Sequence, residues 1–232
     1  LVAYTYDGRP VFARDLKATG AMAVLLKDAL RPNLVQTMEG QPTLIHGGPF
    51  ANIAHGNNSV IATRLALKLA DYVVTEGGFG SDLGSEKFFD IVSPLTGITP
   101  SVVVLVASVR ALKSHGGILK PDLDDYNLQA LSAGLPNLER HLYNLREVFG
   151  LPVVVAINRF PTDHPQEVQM VLDFCKQKGV SDEVSEVVSN GGAGGIDLAR
   201  TVIRMIDEKK NNFSPLYEER LTIKEKINLI AT

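Results

Sequence analysis

Two unbroken apolar runs constrain the fold of this chain more than any other feature. They are Val102–Val106 and Val153–Ile157, and neither alternates apolar with polar side chains. Strands of this kind need cover on both faces, as the central strands of a parallel sheet have. Along the rest of the chain, short β-rich runs alternate with helical patterns, which is typical of parallel strands joined by crossover helices. We therefore expect an α/β fold, with a mostly parallel sheet flanked by helices on both faces.

The same patterns predict individual elements. The strand candidates are Leu1–Tyr6, Thr43–His46, Tyr72–Thr75, Ser101–Ala107, Pro152–Ile157 and, more weakly, Val184–Val188. Helices are predicted over Lys17–Leu30, Asn58–Asp71, Asn127–Val148, Pro165–Lys178, Gly194–Lys209 and Thr222–Ala231. Gly134 and Pro136 favour a break in the longest of them. We place one α/β core over residues 1–210 and the start of a following helical segment over 211–232.

Composition excludes several classes of protein. Among 232 residues the formal net charge is -3, which gives no reason to expect nucleic acid or an anionic membrane as a partner. No apolar run approaches the roughly 20 residues that span a bilayer. The single cysteine, Cys175, cannot form an internal disulfide, which fits a cytoplasmic setting. The chain begins with Leu1 and ends within a helical pattern, so we expect a segment of a longer protein.

Glycine-rich stretches follow three of the predicted strands. They are His46–Gly56, Glu76–Gly84 and Val106–Gly117. Glycine lets a ligand approach the backbone closely, and a helix N-terminus favours an anion. Parallel strands bring their carboxyl ends to one edge, so we expect a shared rim that holds phosphates and a metal ion. The alternative is that these glycines only form tight turns between strand and helix.

Polar side chains in the first two stretches suggest chemistry at this rim. Glu76 and Asp82 are suited to coordinate Mg²⁺ or to orient a reacting group. His46 and His55 lie nine positions apart with no third ligand at zinc spacing, which disfavours a zinc site. Contacts to phosphate or carboxylate fit this stretch better, although Asn52 is equally suited to a turn.

Cations and an aromatic follow the two apolar strands. Arg110 and Lys113 are placed to neutralise phosphate, or else form a surface pair beside a loop. Asn158–Asp163 resembles the Asn-Lys-x-Asp base-recognition loop of GTPases, with the Asp two positions late. Within it, Phe160 offers a face for stacking on a heterocycle, unless it plugs the core. Gly191–Gly195 adds a fourth backbone-rich loop. The chain contains neither a Gly-x-x-x-x-Gly-Lys-Ser/Thr phosphate loop nor a Rossmann fingerprint.

At four of its stretches the chain resembles the formate–tetrahydrofolate ligase family, in that family's order. The stretches are His46–Ser59, Thr75–Phe89, Val106–Gly117 and Val153–Asp163, with Ser108 where Thr is more usual. The resemblance implies an ATP-dependent enzyme that phosphorylates formate, transfers the formyl group to N10 of tetrahydrofolate, and releases ADP and phosphate. It also implies a P-loop NTPase-like architecture without its phosphate-loop segment, a homotetramer, Mg²⁺, and a monovalent cation, K⁺ or NH₄⁺.

The resemblance also suggests roles for individual residues. Phe160 and Pro161 would contact the pterin ring, Asn158 would lie close to nucleotide or folate, and residues 46–55 would lie by the reacting groups. The candidate catalytic residues are His46, Asn52, His55, Glu76 and Arg110. The candidate residues for nucleotide and folate binding are Gly77, Gly78, Phe79, Gly80, Asp82, Asn158, Arg159, Phe160, Pro161, Gly191 and Gly192. Metal ligands are left open.

The chain departs from the family in two places. The family's phosphate loop, with its Lys and Thr, would lie before Leu1, so we expect this fragment alone to be inactive. Many members carry a Trp opposite the Phe, where this chain has Val187, Val188 and Ser189. We therefore expect folate stacking to lose roughly 1 kcal/mol or to be completed by another residue. Two alternatives stay open: a related P-loop NTPase, and a non-catalytic fragment that binds nucleotide, folate or sister subunits.

Overall fold

A computed structural model of the chain describes residues 1–208 and 210–231. By their internal contacts the residues form two compact units, Leu1–Glu76 and Gly77 onward, and each is described by itself below. Lys209, the last residue of the predicted helix Gly194–Lys209, and Thr232, the last residue of the predicted segment 211–232, lie outside the described residues. The predicted boundary between residues 210 and 211 stays a prediction.

The first unit contains antiparallel strand pairs and helices. Strand β1 (Ala3–Tyr4) pairs with β2 (Pro10–Val11), and β3 (Asn33–Gln36) pairs with β4 (Pro42–Ile45). The helices are α1 (Thr19–Leu26), a 3₁₀ turn over Asp28–Leu30, and α2 (Val60–Leu69). Helix α2 begins after Ser59, whose hydroxyl accepts the Ala62 N–H at 3.0 Å and so satisfies one of the free donors of the first turn.

The prediction that residues 43–46 and 72–75 form strands of a parallel sheet is wrong. The strand near Thr43–His46 exists as β4, but it is antiparallel to β3. A short loop joins them, in which Gly40 has a φ of 86°, and only antiparallel neighbours can be joined by so short a turn. Residues 72–75 form no strand among the described residues. Val74 is 94% exposed, so its apolar side chain does not pack against a neighbouring strand.

The second unit is built around a parallel sheet. In the described part of the chain its strand order is β5 (Val103–Ala107), β6 (Val153–Asn158), β7 (Ser181–Ser185). The strands are in parallel register, and their carboxyl ends meet as Ala107 opposite Ile157 and Asn158 opposite Ser185. Crossover helices join them, as expected for parallel strands. Helices α4 (Val109–His115) and α5 (Leu128–Tyr143) lie between β5 and β6, α6 (Pro165–Gln177) lies between β6 and β7, and α8 (Ile196–Asp207) follows β7. The predicted α/β class, with a parallel sheet flanked by helices, is confirmed.

The two apolar runs have different environments. Residues Val153–Ile157 of β6 are buried throughout, which confirms the prediction of a central strand. In β5, Val104 is 39% exposed and Val106 is 65% exposed, so the prediction of cover on both faces is wrong for this strand. Within the described residues, β5 has a hydrogen-bonded neighbour on one side only and forms an edge of the sheet.

Helix α5 continues through the predicted break. Pro136 lies inside it, and π-helical turns over Asn144–Val148 extend it. Gly134 serves packing instead of ending the helix, because a Cβ at this position would overlap the carbonyl oxygen of Leu112 in α4. The break was therefore predicted wrongly: the glycine marks a close approach of two helices.

Other elements complete the second unit. Helical turns over residues 81–96 include π turns at Ser81–Ser85 and Phe88–Val92 and helix α3 (Ser93–Thr96). The ring of Phe89 lies 4.7 Å from that of Phe149 in the core. The weak strand prediction at Val184–Val188 is partly wrong, because β7 ends at Ser185 and Val187 begins helix α7 (Val187–Asn190).

The chain after α8 returns to this core before helix α9 (Ile223–Ala231). The N–H of Asn212 donates to the Gly150 carbonyl at 3.0 Å, and the N–H of Leu216 donates to Asp90 Oδ1 at 2.7 Å. Among the helices described in residues 1–208 and 210–231, none has the length and apolarity that crossing a bilayer requires.

Candidate functional site

Three loops meet at the carboxyl edge of the parallel sheet. They leave β5 at Ser108, β6 at Arg159 and β7 at Glu186, and each leads toward a helix. The Ser108 hydroxyl accepts the Ala111 N–H at 3.2 Å and caps α4 at this edge. Crevices at the carboxyl ends of parallel strands are the usual place for ligands in open α/β sheets. We therefore take these loops as the candidate active site.

Asp124 joins the first two loops. The Arg110 guanidinium forms an ion pair with Asp124 Oδ1, and the Thr162 hydroxyl donates to the same oxygen at 3.1 Å. The structure thus brings predicted Arg110 next to the predicted Asn158–Asp163 stretch. Arg110 is therefore a held cation whose side chain is still about one-third exposed. Nothing in the sequence marked Asp124, because it lies in an acidic run typical of a surface loop.

The loop after β6 closes into a tight turn. The Phe160 N–H donates to Asp163 Oδ2 at 2.8 Å, and the Asp163 N–H donates to the Phe160 carbonyl at 3.0 Å. Burial raises the pKa of Asp163, while the bond from Phe160 and the charge of Lys113 act in the opposite direction. Phe160 is half-buried and Pro161 is exposed, so this turn presents an aromatic ring at the rim without enclosing it in the core.

An ion pair connects this turn to the third loop. Arg159 Nη1 lies 2.7 Å from Glu186 Oε1, and the Glu186 N–H donates to the Gly194 carbonyl at 3.0 Å. Asn190 adds a donor to the other Glu186 oxygen at 3.3 Å. A Cβ on Gly194 would lie 2.5 Å from the Glu186 carbonyl carbon, so this loop needs glycine there. The predicted Arg159 and the predicted loop of Gly191 and Gly192 are thus held against each other.

A buried ion pair lies behind the rim. Lys113 Nζ is 3.0 Å from Glu167 Oε1, and the two side chains are 1% and 0% exposed. Lys113 is therefore neither a phosphate-neutralising cation at the rim nor a surface residue, and both sequence interpretations of it are wrong. Glu167 was not predicted, because an acid in the first turn of a helix is ordinary on electrostatic grounds alone.

The Gly77–Asp82 stretch lies elsewhere in the second unit. Ser81 Oγ is 2.7 Å from His141 Nδ1 in the last turn of α5. Since His141 is 13 positions beyond Leu128, this contact lies about 20 Å along the helix from its start at the rim. Phe79 is 70% exposed and has a φ of 66°, which is rare for a residue with a side chain. The contacts thus unite three of the predicted stretches and leave this one beside the far end of α5.

The predicted histidines belong to the first unit. His46 Nε2 is 2.7 Å from the Ala29 carbonyl, and its Nδ1 is 2.7 Å from Ser59 Oγ. A carbonyl only accepts, so Nε2 donates to it, and in the neutral ring Nδ1 then accepts from the Ser59 hydroxyl. His55 Nε2 lies 3.3 Å from the Asn58 carbonyl. Both rings therefore stabilise the turn before α2.

The remaining predicted residues of this unit differ in their exposure and contacts. Asn52 is exposed. Glu76 participates through its backbone carbonyl, which accepts from Asn57 Nδ2 at 2.7 Å.

Among residues 1–208 and 210–231, no three His, Cys, Asp or Glu side chains converge as a metal site would require. Glu86 lies near Asp82 and Asp90, and burial first, then these charges, raise its pKa.

Comparison with known protein families agrees with the composition of the loops. The family model described as formate–tetrahydrofolate ligase matches residues 1–232. The family's reaction joins formate to tetrahydrofolate and uses ATP. The match covers the whole chain, including every stretch on which the resemblance was based. The chain therefore belongs to the formate–tetrahydrofolate ligase family.

Proposed function

We propose that this protein, in its complete natural form, makes 10-formyltetrahydrofolate from formate, tetrahydrofolate and ATP by way of formyl phosphate. A formate oxygen attacks the γ-phosphorus, and the bond from that phosphorus to the ADP oxygen breaks. N10 then attacks the formyl carbon, the carbon–oxygen bond to phosphate breaks, and N10 loses its proton. The products are ADP, phosphate and the formylated folate.

The observation that supports this proposal most is the convergence of the three loops at the carboxyl edge of the sheet. Arg110, held by Asp124, provides positive charge where a phosphoryl group carries developing negative charge. The half-buried ring of Phe160, with Pro161, provides a flat apolar surface for the pterin. Asn158, Arg159 and the backbone of Gly191 and Gly192 would bind the polar edges of folate or nucleotide.

The other site assignments are also proposals. His46, Asn52, His55 and Glu76 would lie near the reacting groups, and Gly77, Gly78, Phe79, Gly80 and Asp82 would line the nucleotide cleft. The contacts of His46 favour a supporting role, because both ring nitrogens already have protein partners. We also propose a P-loop NTPase-like architecture, a homotetrameric assembly and a cytoplasmic location. The reaction would require Mg²⁺ and a monovalent cation, K⁺ or NH₄⁺.

The test is product formation by the complete natural protein with each substrate omitted in turn. We expect ADP release to require formate, and formylated folate to appear only with all three substrates. ATP hydrolysis at a rate that does not depend on formate would instead favour a related NTPase. Binding of ATP or folate without any turnover would favour a non-catalytic protein.

A further inference from the structure

The buried Lys113–Glu167 pair binds the backbone of the segment that contacts the Phe160 turn. Lys113 Nζ donates to the Asp125 carbonyl at 2.8 Å and lies 3.0 Å from Glu167 Oε1 and 3.3 Å from Oε2. Glu167 Oε1 also accepts the Asn127 N–H at 2.8 Å. One carboxylate and one ammonium thus bind two backbone groups on either side of Tyr126.

The segment held in this way carries Asp124. Its carboxylate accepts from Thr162 in the turn after β6 and pairs with Arg110 at the start of α4. Asn127 in turn caps α5, since its side chain accepts the Ala130 N–H at 2.9 Å. Tyr126 packs edge-on against the ring of His164, at a centroid distance of 5.2 Å, just beyond the Phe160 turn. Segment 124–127 therefore links α4, α5 and the Phe160 turn, and we call this segment the strut.

Most of the strut is at the surface: residues 124–126 are exposed and Asn127 is half-buried. Asp124 is half exposed and Tyr126 is 50% exposed. Two of its backbone hydrogen bonds, from the Asn127 N–H and to the Asp125 carbonyl, end on the buried pair. Removing one charge leaves the other buried without a partner, which is strongly unfavourable in an apolar interior.

We propose that Lys113 and Glu167 are positioning residues that hold the Phe160 turn and Arg110 in place through segment 124–127. The pair itself touches no substrate, because both side chains are enclosed. The inference rests on the proposed function for its kinetic consequence, but its structural consequence is independent of that function.

The experiment uses the complete natural protein and the variant Glu167→Gln, which keeps the shape of the side chain and removes its charge. Glu139→Gln is the matched control, because Glu139 pairs with Lys178 at a partly exposed site between α5 and α6. The first readout is amide hydrogen exchange, which needs no substrate. In Glu167→Gln we expect the amides of Phe160, Asp163 and Asn127 to exchange about tenfold faster, with the amides of β6 unchanged.

The second readout is steady-state kinetics. In Glu167→Gln we expect KM for tetrahydrofolate to rise about fivefold or more while KM for ATP changes less than about twofold. The control variant should match wild type in both readouts. If exchange at Phe160 and Asp163 is unchanged, or rises equally in β6, the positioning role is wrong. A wild type that makes no formylated folate would overturn the proposed function and leave the exchange result to decide the positioning role.

A variant pair covers the case in which Glu167→Gln does not fold. Lys113→Met combined with Glu167→Leu replaces the ion pair by apolar side chains, a change that often leaves stability intact. It still removes the bonds to residues 125 and 127, so we expect native thermal stability with fast exchange at the Phe160 turn. Native stability with wild-type exchange and wild-type KM would overturn the proposal.

Discussion

Arg159 and Glu186 form an ion pair of 2.7 Å that joins the loop after β6 to the loop after β7. Both side chains are a little over one-third exposed, so their direct attraction is worth only about 0.5 kcal/mol. Their larger effect is geometric, because the Glu186 carboxylate also accepts from Asn190 Nδ2 in the loop after β7. We expect Arg159→Met and Glu186→Gln each to weaken tetrahydrofolate binding, with effects in the double variant that are less than additive. Calorimetry of tetrahydrofolate binding to wild type, the two single variants and the double variant measures the coupling. Strict additivity of the binding free energies would mean that the pair does not act as a unit.

The aromatic ring of Phe160 provides a second prediction. Phe160→Ala in the complete natural protein should raise KM for tetrahydrofolate about tenfold, because a flat stacking surface is lost. KM for ATP should change much less. Phe160→Leu is the control that keeps apolar bulk without an aromatic face. Its KM for tetrahydrofolate should lie between the values for wild type and for Phe160→Ala. Equal increases in both KM values would count against stacking on the pterin.

Arg110 provides a third prediction. Arg110→Gln should lower kcat by about tenfold or more, since a positioned cation that stabilises developing charge is lost. Asp124→Asn should lower kcat by a smaller factor, because Arg110 keeps its charge and loses its ion-pair partner. Arg200→Gln is the control, as Arg200 pairs with Asp197 where both side chains are about three-quarters exposed. Unchanged turnover in Arg110→Gln would make Arg110 a surface cation.

A fourth prediction concerns Asp90 and the dependence of the free energy of unfolding on pH. Burial raises its pKa from 3.8 to about 6, while the Leu216 N–H acts against this shift. A carboxyl group whose pKa is raised by folding supports the native state fully below its unfolded pKa, and that support is lost as pH rises through about 6. Asp90→Asn keeps the acceptor for Leu216 and removes the charge. Relative to wild type, its free energy of unfolding should therefore increase between about pH 4 and about pH 7.5, by at most about 3 kcal/mol.

Urea unfolding at several pH values measures this difference. Asp197→Asn is the control, because it removes a carboxylate whose side chain is 76% exposed. A difference for Asp90→Asn that stays constant across the same range would show that Asp90 is not charged at a cost in the folded state.

Gly134 gives a prediction that opposes helix propensity. Alanine normally stabilises a helix relative to glycine by up to about 1 kcal/mol. In α5 a Cβ would overlap the Leu112 carbonyl, so Gly134→Ala should instead destabilise the protein by about 2 kcal/mol or more. Gly20→Ala in α1 is the matched control, because no atom lies within 4 Å of a Cβ there. A stabilised Gly134→Ala variant would contradict the close approach of α4 and α5.

The sequence by itself determined the parts of this protein that depend on local pattern. The uninterrupted apolar run at residues 153–157 predicts a strand buried on both faces, and β6 is one. Pro165 at the start of a helical pattern and Gly179 after its end predict α6 to within a residue at its last turn. The glycine-rich stretches and the residues around Phe160 identify the family, because a family match depends on the order of residues and not on their contacts.

Only the tertiary structure decided which residues are partners. Glu167 meets Lys113 across 54 positions, and Thr162 meets Asp124 across 38, so no local spacing predicts either contact. The same limit explains the wrong strand predictions, since β propensity does not specify a neighbouring strand or its direction. Exposure of Val106 and burial of Lys113 depend on what packs against each side chain. A charged residue that local pattern assigns to the surface can therefore lie in the interior, where an opposite charge from a distant helix neutralises it.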